Sequence, residues 1–273
     1  MTPSPTSATA PTWIDTAARL LAERRRSGQP GPRLPEACRP TDLDAALAVQ
    51  AAVTAQLDEA IGGWKCGTPS PGKVVLAPIH LGTIERHSPC AAFARTIDGR
   101  AQVKVEPELA FLLGRDLPPR AVPYTPAEVD AAVARTHLAL ELIDNRFDDG
   151  AEISFEEKLA DGLVNQGLWL GPEVDATRAR GAAALTLTLT IGEQASQRLD
   201  GRHPNPAPRE PLHWLAEFLR QRGQGLRAGQ AIITGSYAGS FWLPAGAPIS
   251  LDYADAAGSL GTLAVQFAPR AAR

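Results

Sequence analysis

The chain has 273 residues, of which 44% are hydrophobic and 21% are charged. This composition excludes disordered, collagen-like and coiled-coil chains, and the length suits one compact domain with a smaller addition. The 27 basic and 30 acidic residues leave a formal net charge of −3, which offers no excess of positive charge for binding nucleic acid.

Cysteine content and hydropathy indicate the compartment. The three cysteines lack a CxxC pair, which argues against a disulfide framework or a thiolate zinc site and predicts a reducing environment. No run approaches the roughly 20 apolar residues of a membrane-spanning helix, and residues 1–12 lack the regions of a signal peptide. We therefore expect a cytoplasmic protein that does not associate with membranes and begins with a disordered tail.

Two helices are predicted near the start of the chain. Thr12 is placed to cap the first, and Gly28 follows three arginines and ends it. A proline-rich loop separates this helix from the second, which Thr41 opens, with Asp44 three residues later. The apolar spacing carries the second helix through Ile61.

From Gly63 onward, short strand-like segments separated by glycine and proline predict a β-rich body. Two helices interrupt it, one starting at the Thr125 capping sequence and one around Leu215. His137 is assigned to the inner face of the first of these helices, as a packing or interface residue. We expect two parts, namely a tail and helical segment over 1–62 and a β-rich domain over 63–273. Alternating apolar residues predict strands at 101–113, 183–192, 229–234, 247–253 and 260–267.

The most informative segment for chemistry is one of these strands. Glu106 and Glu108 share one of its faces, because alternate residues of a strand point the same way. Two carboxylates so close in an apolar strand must each take up a proton or find a cation, and a divalent ion resolves both problems. The alternative is a solvated or arginine-paired couple at a sheet edge, which Pro107 favours.

Glu141 is a third carboxylate within an apolar run. Three oxygen donors without Cys or His suit Mg²⁺ or Mn²⁺ rather than zinc. A structural ion pair is the alternative for Glu141.

Lys65 and a Thr-Gly-Ser segment are further candidates. Lys65 lies between glycines and beside Trp64, where it could act as a base or bind an oxyanion, although most lysines are solvated surface groups. Thr234-Gly235-Ser236 follows an apolar strand and could hold a small anion or simply form a turn.

Taken together, these segments resemble the fumarylacetoacetate hydrolase superfamily, and within it the 2-keto-4-pentenoate hydratase and 4-oxalocrotonate decarboxylase branch. The resemblance covers roughly residues 41–268. The segments that carry it are Glu106–Pro118, Trp64-Lys65-Cys66-Gly67, Leu140-Glu141-Leu142-Ile143-Asp144-Asn145-Arg146, Leu159-Ala160-Asp161, His203-Pro204 and Leu226–Ser236.

The resemblance implies an α+β fold, with a mixed β-roll and a helical N-terminal part. It also implies a homo-oligomer that acts on a 2-hydroxy-2,4-dienoate from aromatic catabolism, with possible association between paired hydratase and decarboxylase enzymes. By this resemblance the metal ligands are Glu106, Glu108 and Glu141, the acid/base residue is Lys65, and the substrate-binding residues are Ser70, Asp161 and Ser236.

A hydratase is the leading hypothesis and a 4-oxalocrotonate-type decarboxylase the second. An acylpyruvate C–C hydrolase is third, and a non-catalytic protein that binds a 2-oxo acid is the alternative from another class. The chain departs from the branch's motifs at three places. Thr68-Pro69-Ser70 replaces Leu-Thr-Ser, Gly162 replaces Asn, and Asn205 replaces Leu after His-Pro and is followed by a proline-rich insertion.

Overall fold

The structure is a computed structural model that describes residues 12–271. Its helices are α1 (Thr12–Ser27), α2 (Leu43–Leu57), α3 (Pro126–Asp130), α4 (Phe155–Ala160), α5 (Ala176–Arg180) and α6 (Glu210–Gln221), with 3-10 turns at Glu36–Cys38 and Leu81–Thr83. Its strands are β1 (Ile61–Cys66), β2 (Leu76–His80), β3 (Ile84–Glu85), β4 (Cys90–Ala92), β5 (Arg95–Ile97), β6 (Arg100–Leu113), β7 (Val133–Ile143), β8 (Asn165–Val174), β9 (Ala184–Ile191), β10 (Gln197–Arg202), β11 (Ala231–Ile233), β12 (Phe241–Pro244), β13 (Pro248–Asp255) and β14 (Gly258–Pro269).

The second helix differs from its prediction at both ends. Asp42, not Thr41, caps α2, because the Asp42 carboxylate accepts the Ala45 N–H. The helix ends at Leu57, where Asp58 adopts the left-handed conformation with φ 52°. Ile61, predicted to continue the helix, instead begins β1.

The first helix ends as predicted, since Gly28 takes a positive φ of 66°. The side chain of Thr12 and all of residues 1–11, where the tail is predicted, lie outside the described residues. The apolar faces of α1 and α2 pack with Leu159 and Ala160 of α4 and with Phe147. The division of the chain at residue 62 stays a prediction.

The described strands form two sheets. The larger has nine strands, with the order β2-β1-β11-β6-β7-β8-β3 and with β5 and β12 also paired to β6. The smaller has five, in the order β10-β9-β13-β14-β4. One apolar core joins the sheets, and the buried Tyr253 of β13 donates a hydrogen bond to the Ala139 carbonyl of β7 at 3.1 Å.

Pro107 does not lie at a sheet edge, which is where the alternative interpretation of the Glu106–Glu108 pair placed it. It lies in the middle of β6, paired to Leu140 of β7 on one side. On the other side, β11 pairs with residues 110–112 and β12 with residues 102–105. Pro107, which has no N–H to donate, therefore falls in the gap between these two neighbours.

His137 is not on a helix. Helix α3 is only five residues long, although its predicted Thr125 capping box is present. His137 lies on β7 opposite Ala110, and its Nδ1 is 2.9 Å from the Gly171 carbonyl oxygen. A short amphipathic run gives similar apolar spacing in a helix and in a strand, which explains the error.

Within residues 12–271, none of the helices has the length and apolar character needed to cross a membrane.

Candidate active site

Strand pairing brings three carboxylates together. Glu106 of β6 stands directly opposite Glu141 of β7, and Glu108 follows two residues along on the same face of β6. One carboxylate oxygen from each of the three lies within 4.8 Å of the others. The face that carries them is apolar further along the sheet, with buried Ala110 and Ala139.

Burial makes this cluster electrostatically unfavourable without a cation. Glu108 is buried, which is the main reason its pKa lies well above the usual range, and the charge of Glu141 raises it further. The pKa of Glu106 is also raised, by burial first and then by Glu141. The Gly235 N–H, which donates to Glu108 Oε2 at 2.7 Å, acts in the opposite direction but does not reverse the shift.

Lys65 faces the carboxylates from a neighbouring part of the same sheet. It pairs with Ile233 of β11, which pairs with Ala110 of β6, so Lys65 points to the face that carries Glu108. Its Nζ lies 2.7 Å from Glu141 Oε1 and donates to the Leu163 carbonyl at 3.2 Å. Burial lowers the pKa of Lys65, but the carboxylates, Glu141 foremost, outweigh it and leave the pKa raised.

Asn165 orients Glu141, and the sequence analysis did not single it out. Its Nδ2 donates to Glu141 Oε1 at 2.9 Å and to the Gly167 carbonyl at 3.2 Å. Lys65 and Asn165 therefore share one Glu141 oxygen, while Oε2 is buried without a hydrogen-bond partner among the described residues. An orphaned buried carboxylate oxygen beside two further carboxylates fits a divalent cation. The only sign of Asn165 in the sequence was its place as a polar residue at the start of an apolar strand.

A strained turn supplies the carbonyl that holds Lys65. Leu163 and Val164 have positive φ values of 52° and 60°, a conformation that is unusual for a β-branched residue. The turn is held by the Asp144 N–H, which donates to the Val164 carbonyl at 2.9 Å, and by the Leu163 N–H, which donates to Lys158 O at 2.8 Å. Such strain persists only where the surroundings impose it, and functional sites are where it concentrates.

A cavity of about 320 Å³ opens onto these groups. Beyond the carboxylates, its wall includes Thr234, Thr68 and Asn205. Thr234 Oγ1 is 3.3 Å from Nε2 of the buried His203. Asn205 Nδ2 donates to Thr68 Oγ1 at 2.7 Å, so two of the departures from the family motifs contact each other. The residues lining the cavity are Lys65, Cys66, Gly67, Thr68, Val75, Glu106, Glu108, Glu141, Pro204, Asn205, Thr234 and Gly235.

The three predicted substrate-binding residues do not line this cavity. Ser70 is exposed in a turn, where its backbone pairs with Lys73. The Asp161 carboxylate is buried and ion-paired with Arg146 at 2.8 Å. The Ser236 hydroxyl donates to the Gly239 carbonyl at 2.9 Å, although its neighbour Gly235 does line the cavity. Their role in substrate binding stays a prediction.

Gly162, another departure, has a conformational explanation. Its φ is 80°, a region that Gly and Asn tolerate better than other residues do. A Cβ atom there would lie 2.6 Å from Arg25 Nη2, which glycine avoids. Arg25 can then donate from Nη1 to the Asn165 carbonyl at 3.0 Å. Glycine at position 162 thus leaves room for Arg25, which holds the backbone at Asn165.

Comparison with known proteins defines the class. Residues 71–268 match the family model described as fumarylacetoacetate (FAA) hydrolase C-terminal, and the chain belongs to this family. The 4-oxalocrotonate decarboxylase from Pseudomonas putida G7, in structures with calcium and acetate or with magnesium and adipate, has the same fold. Each comparison gives a TM-score of 0.71 over 93% of this chain and 97% of the other, at 16% identity. The predicted α+β class and β-roll type are confirmed.

Within the family, the curated relatives point to one branch. The chain is 30% identical to a 2-keto-4-pentenoate hydratase of Paraburkholderia phymatum, over 82% of this chain and 87% of that protein. It is 28% identical to a 2-keto-4-pentenoate hydratase of Paraburkholderia xenovorans, over 83% and 86%. The branch named from the sequence motifs is therefore confirmed.

Proposed function

We propose that this chain is a metal-dependent hydratase that adds water to a 2-hydroxy-2,4-dienoate of the 2-keto-4-pentenoate type, in the breakdown of aromatic compounds. The observation that carries the proposal is the convergence of three glutamates and Lys65 on one cavity. The names of the relatives, at about 30% identity over most of the chain, indicate the reaction.

Glu106, Glu108 and Glu141 would hold Mg²⁺ or Mn²⁺, because oxygen-only ligand sets suit hard cations. When bound, such an ion supplies Lewis-acid polarisation of the oxygen atoms of a 2-oxo acid. The rest of the cavity wall then serves to orient the substrate and to move protons.

Lys65 is the proton carrier in this proposal. Hydration of the dienol adds a proton at C5, a hydroxyl group at C4 and a proton at C3, while the 2-hydroxyl group loses its proton to become the 2-oxo group, so the net addition is one water molecule. With its pKa raised, the Lys65 ammonium holds a proton at Nζ at neutral pH, 2.7 Å from the Glu141 oxygen. We expect a bound cation to lower this pKa, because a nearby positive charge disfavours the ammonium form.

The direct test is ultraviolet detection of 2-hydroxypenta-2,4-dienoate consumption with Mg²⁺ or Mn²⁺, combined with product analysis. A 4-hydroxy-2-oxo acid product is the expected result. Lys65→Met and Glu106→Gln should each lower kcat/KM by at least about 100-fold. Glu173→Gln, which changes an exposed carboxylate on β8, is the matched control. Dienoate that persists with every metal would contradict the proposal.

Decarboxylation is the second candidate, because a curated 4-oxalocrotonate decarboxylase of Pseudomonas is 29% identical over half of this chain. Release of CO₂ from 4-oxalocrotonate in the same assay would identify it. Pyruvate formed from an acylpyruvate would instead indicate a C–C hydrolase. A rise in melting temperature with Mg²⁺ and oxalate, but without turnover of any substrate, would indicate a non-catalytic binding protein.

Assembly and location belong to the same proposal. We expect a cytoplasmic homo-oligomer that associates with a paired decarboxylase or hydratase. The cytoplasmic location agrees with Cys38, Cys66 and Cys90, which are buried free thiols. Light scattering after size-exclusion chromatography measures the oligomeric state, and a monomeric mass would contradict this part.

A further inference from the structure

The charges that line the cavity favour a substrate with one carboxylate over one with two. Lys65 is the one basic side chain among the described residues of its wall, and it is paired with Glu141. Three glutamates and one lysine sum to a formal charge of −2, which a divalent ion neutralises. A first substrate carboxylate would be accommodated by that ion, whereas a second would have no opposite charge within the cavity.

The Thr68–Asn205 pair defines the chemistry of another part of the wall. Thr68 lies three residues beyond Lys65 along the chain, at most about 11 Å away. Asn205 Nδ2 donates to Thr68 Oγ1 at 2.7 Å and reaches Glu210 Oε2 at 3.4 Å. The Asn205 N–H is also 3.0 Å from His203 Nδ1, which fixes the backbone beside the cavity. The nearby Glu210 carboxylate adds a negative charge that would repel an acidic tail.

The pair leaves one donor and one acceptor available. Because Thr68 Oγ1 accepts from Asn205, its own O–H remains able to donate. Asn205 Oδ1 takes part in no hydrogen bond within residues 12–271, so it remains able to accept. A hydroxyl group both donates and accepts, which satisfies the two sites together. A methyl group satisfies neither, and a carboxylate cannot donate.

We propose that Thr68 and Asn205 select a substrate with a single carboxylate and a hydroxyl-bearing tail. This inference rests on the proposed function in taking 2-oxo acids as the ligand class and a divalent cation as the group that neutralises the cavity. The tail hydroxyl would replace the water that otherwise solvates the pair, whereas a methyl group would displace that water without replacing its hydrogen bonds.

Binding of saturated acids tests the inference separately from hydration, because such acids contain no double bond to hydrate. Calorimetry of the Mg²⁺-loaded protein would compare 2-oxohexanoate, 6-hydroxy-2-oxohexanoate and 2-oxohexanedioate. We expect the hydroxyl-tailed acid to bind about tenfold more tightly than the methyl-tailed acid, and the diacid to bind most weakly. Equal binding of the first two acids, tightest binding of the diacid, or no binding of any acid would each overturn the inference.

Two variants assign the preference to the pair. Thr68→Val removes the hydroxyl with little change of shape at an exposed position, and Asn205→Leu removes the amide. Each should reduce the advantage of the hydroxyl tail to within about threefold. Gln194→Leu, at an exposed turn after β9, is the control and should keep the advantage. If both site variants keep the preference for the hydroxyl tail, the Thr68–Asn205 pair does not cause it.

Failure of this inference can be told apart from failure of the proposed function. Hydration of the unsubstituted dienoate without a tail preference would leave the hydratase intact and remove the role of Thr68 and Asn205. A tail preference without hydration of any dienoate would keep the role of Thr68 and Asn205 and contradict the hydratase.

Discussion

At the scale of single residues, Glu141 has two oxygens in different environments. Oε1 forms an ion pair with Lys65 and accepts a hydrogen bond from Asn165, while Oε2 is buried without a hydrogen-bond partner among the described residues. A carboxylate fixed through one oxygen presents the other in a defined direction, and such supporting contacts commonly determine metal affinity. Asn165 therefore contributes to the orientation of Glu141.

Replacement of Asn165 by Ala should weaken binding of Mn²⁺ by about 10- to 100-fold, because Glu141 loses one of the two contacts that orient it. Calorimetric titration with Mn²⁺ measures this affinity. Asn145→Ala is the control, since the Asn145 amide oxygen accepts the Phe147 N–H instead. An unchanged affinity in Asn165→Ala would show that Glu141 is positioned without it.

His80 predicts how stability depends on pH. Burial, with smaller contributions from Arg25 and Arg146, lowers the pKa of His80 from 6.5 to about 3. Between these values the unfolded chain binds a proton that the folded chain does not. Above pH 6.5 His80 is neutral in both states, so it does not reduce the free energy of unfolding. As the pH falls from 6.5 toward 3, protonation of the unfolded chain lowers the free energy of unfolding.

His80→Asn should accordingly flatten the dependence of the unfolding free energy on pH, by up to about 1.4 kcal/mol per pH unit within this window. Urea unfolding between pH 4 and 7 measures the slope. The exposed His87, changed to Asn, should leave the slope unaltered. Equal slopes in wild type and His80→Asn would show that His80 is not the group responsible.

At the scale of elements, the contact between β1 and β11 positions Lys65. Gly63 pairs with Ala231, and a Cβ atom at Gly63 would lie 2.3 Å from the Ala231 carbonyl oxygen. Because that oxygen belongs to the backbone, the strands would have to separate. Lys65 lies two residues further along β1 and would move with its strand.

Gly63→Ala should therefore lower the melting temperature by several degrees and reduce kcat/KM on the dienoate at least tenfold. Thermal unfolding and the ultraviolet assay measure the two effects. Gly181→Ala is the control, because a Cβ atom there would meet nothing closer than the Arg178 carbonyl oxygen at 4.0 Å. Full activity in Gly63→Ala would contradict the proposed dependence on strand spacing.

At the scale of the whole molecule, the smaller sheet supports the strand that carries Glu141. Tyr253 is buried, and its hydroxyl donates across the core to the Ala139 carbonyl, two residues from Glu141 on β7. The five-stranded sheet thus fixes the back of β7 through both packing and a hydrogen bond. The same contact therefore contributes both to the stability of the fold and to the position of Glu141.

Tyr253→Phe should reduce the free energy of unfolding by about 1–2 kcal/mol, because the Ala139 carbonyl loses its Tyr253 hydrogen bond in a buried environment. Urea unfolding measures the loss. In the control Tyr124→Phe, the lost bond to the Pro118 carbonyl is solvent-exposed, so the cost should stay below about 0.5 kcal/mol. Similar costs for the two variants would argue against a special role for the Tyr253 contact.

Local sequence patterns were enough to predict features that depend only on neighbouring residues, such as the face of a strand or the start of a helix. Strand alternation placed Glu106 and Glu108 on one face, and the Thr125 capping box began a helix, as the structure has them. Short-range patterns were ambiguous for His137, which lies on a strand, and for Ile61, which begins one, because period and propensity overlap at such lengths.

Only the tertiary structure decided which distant residues complete the site. Asn165 reaches Glu141 across 24 positions of sequence, and Asn205 reaches Thr68 across 137. Such contacts follow from strand register and loop conformation, and no local pattern records them. The charge and number of the carboxylates could be recognised from the sequence, whereas the groups that orient Glu141 and shape the cavity wall required the fold.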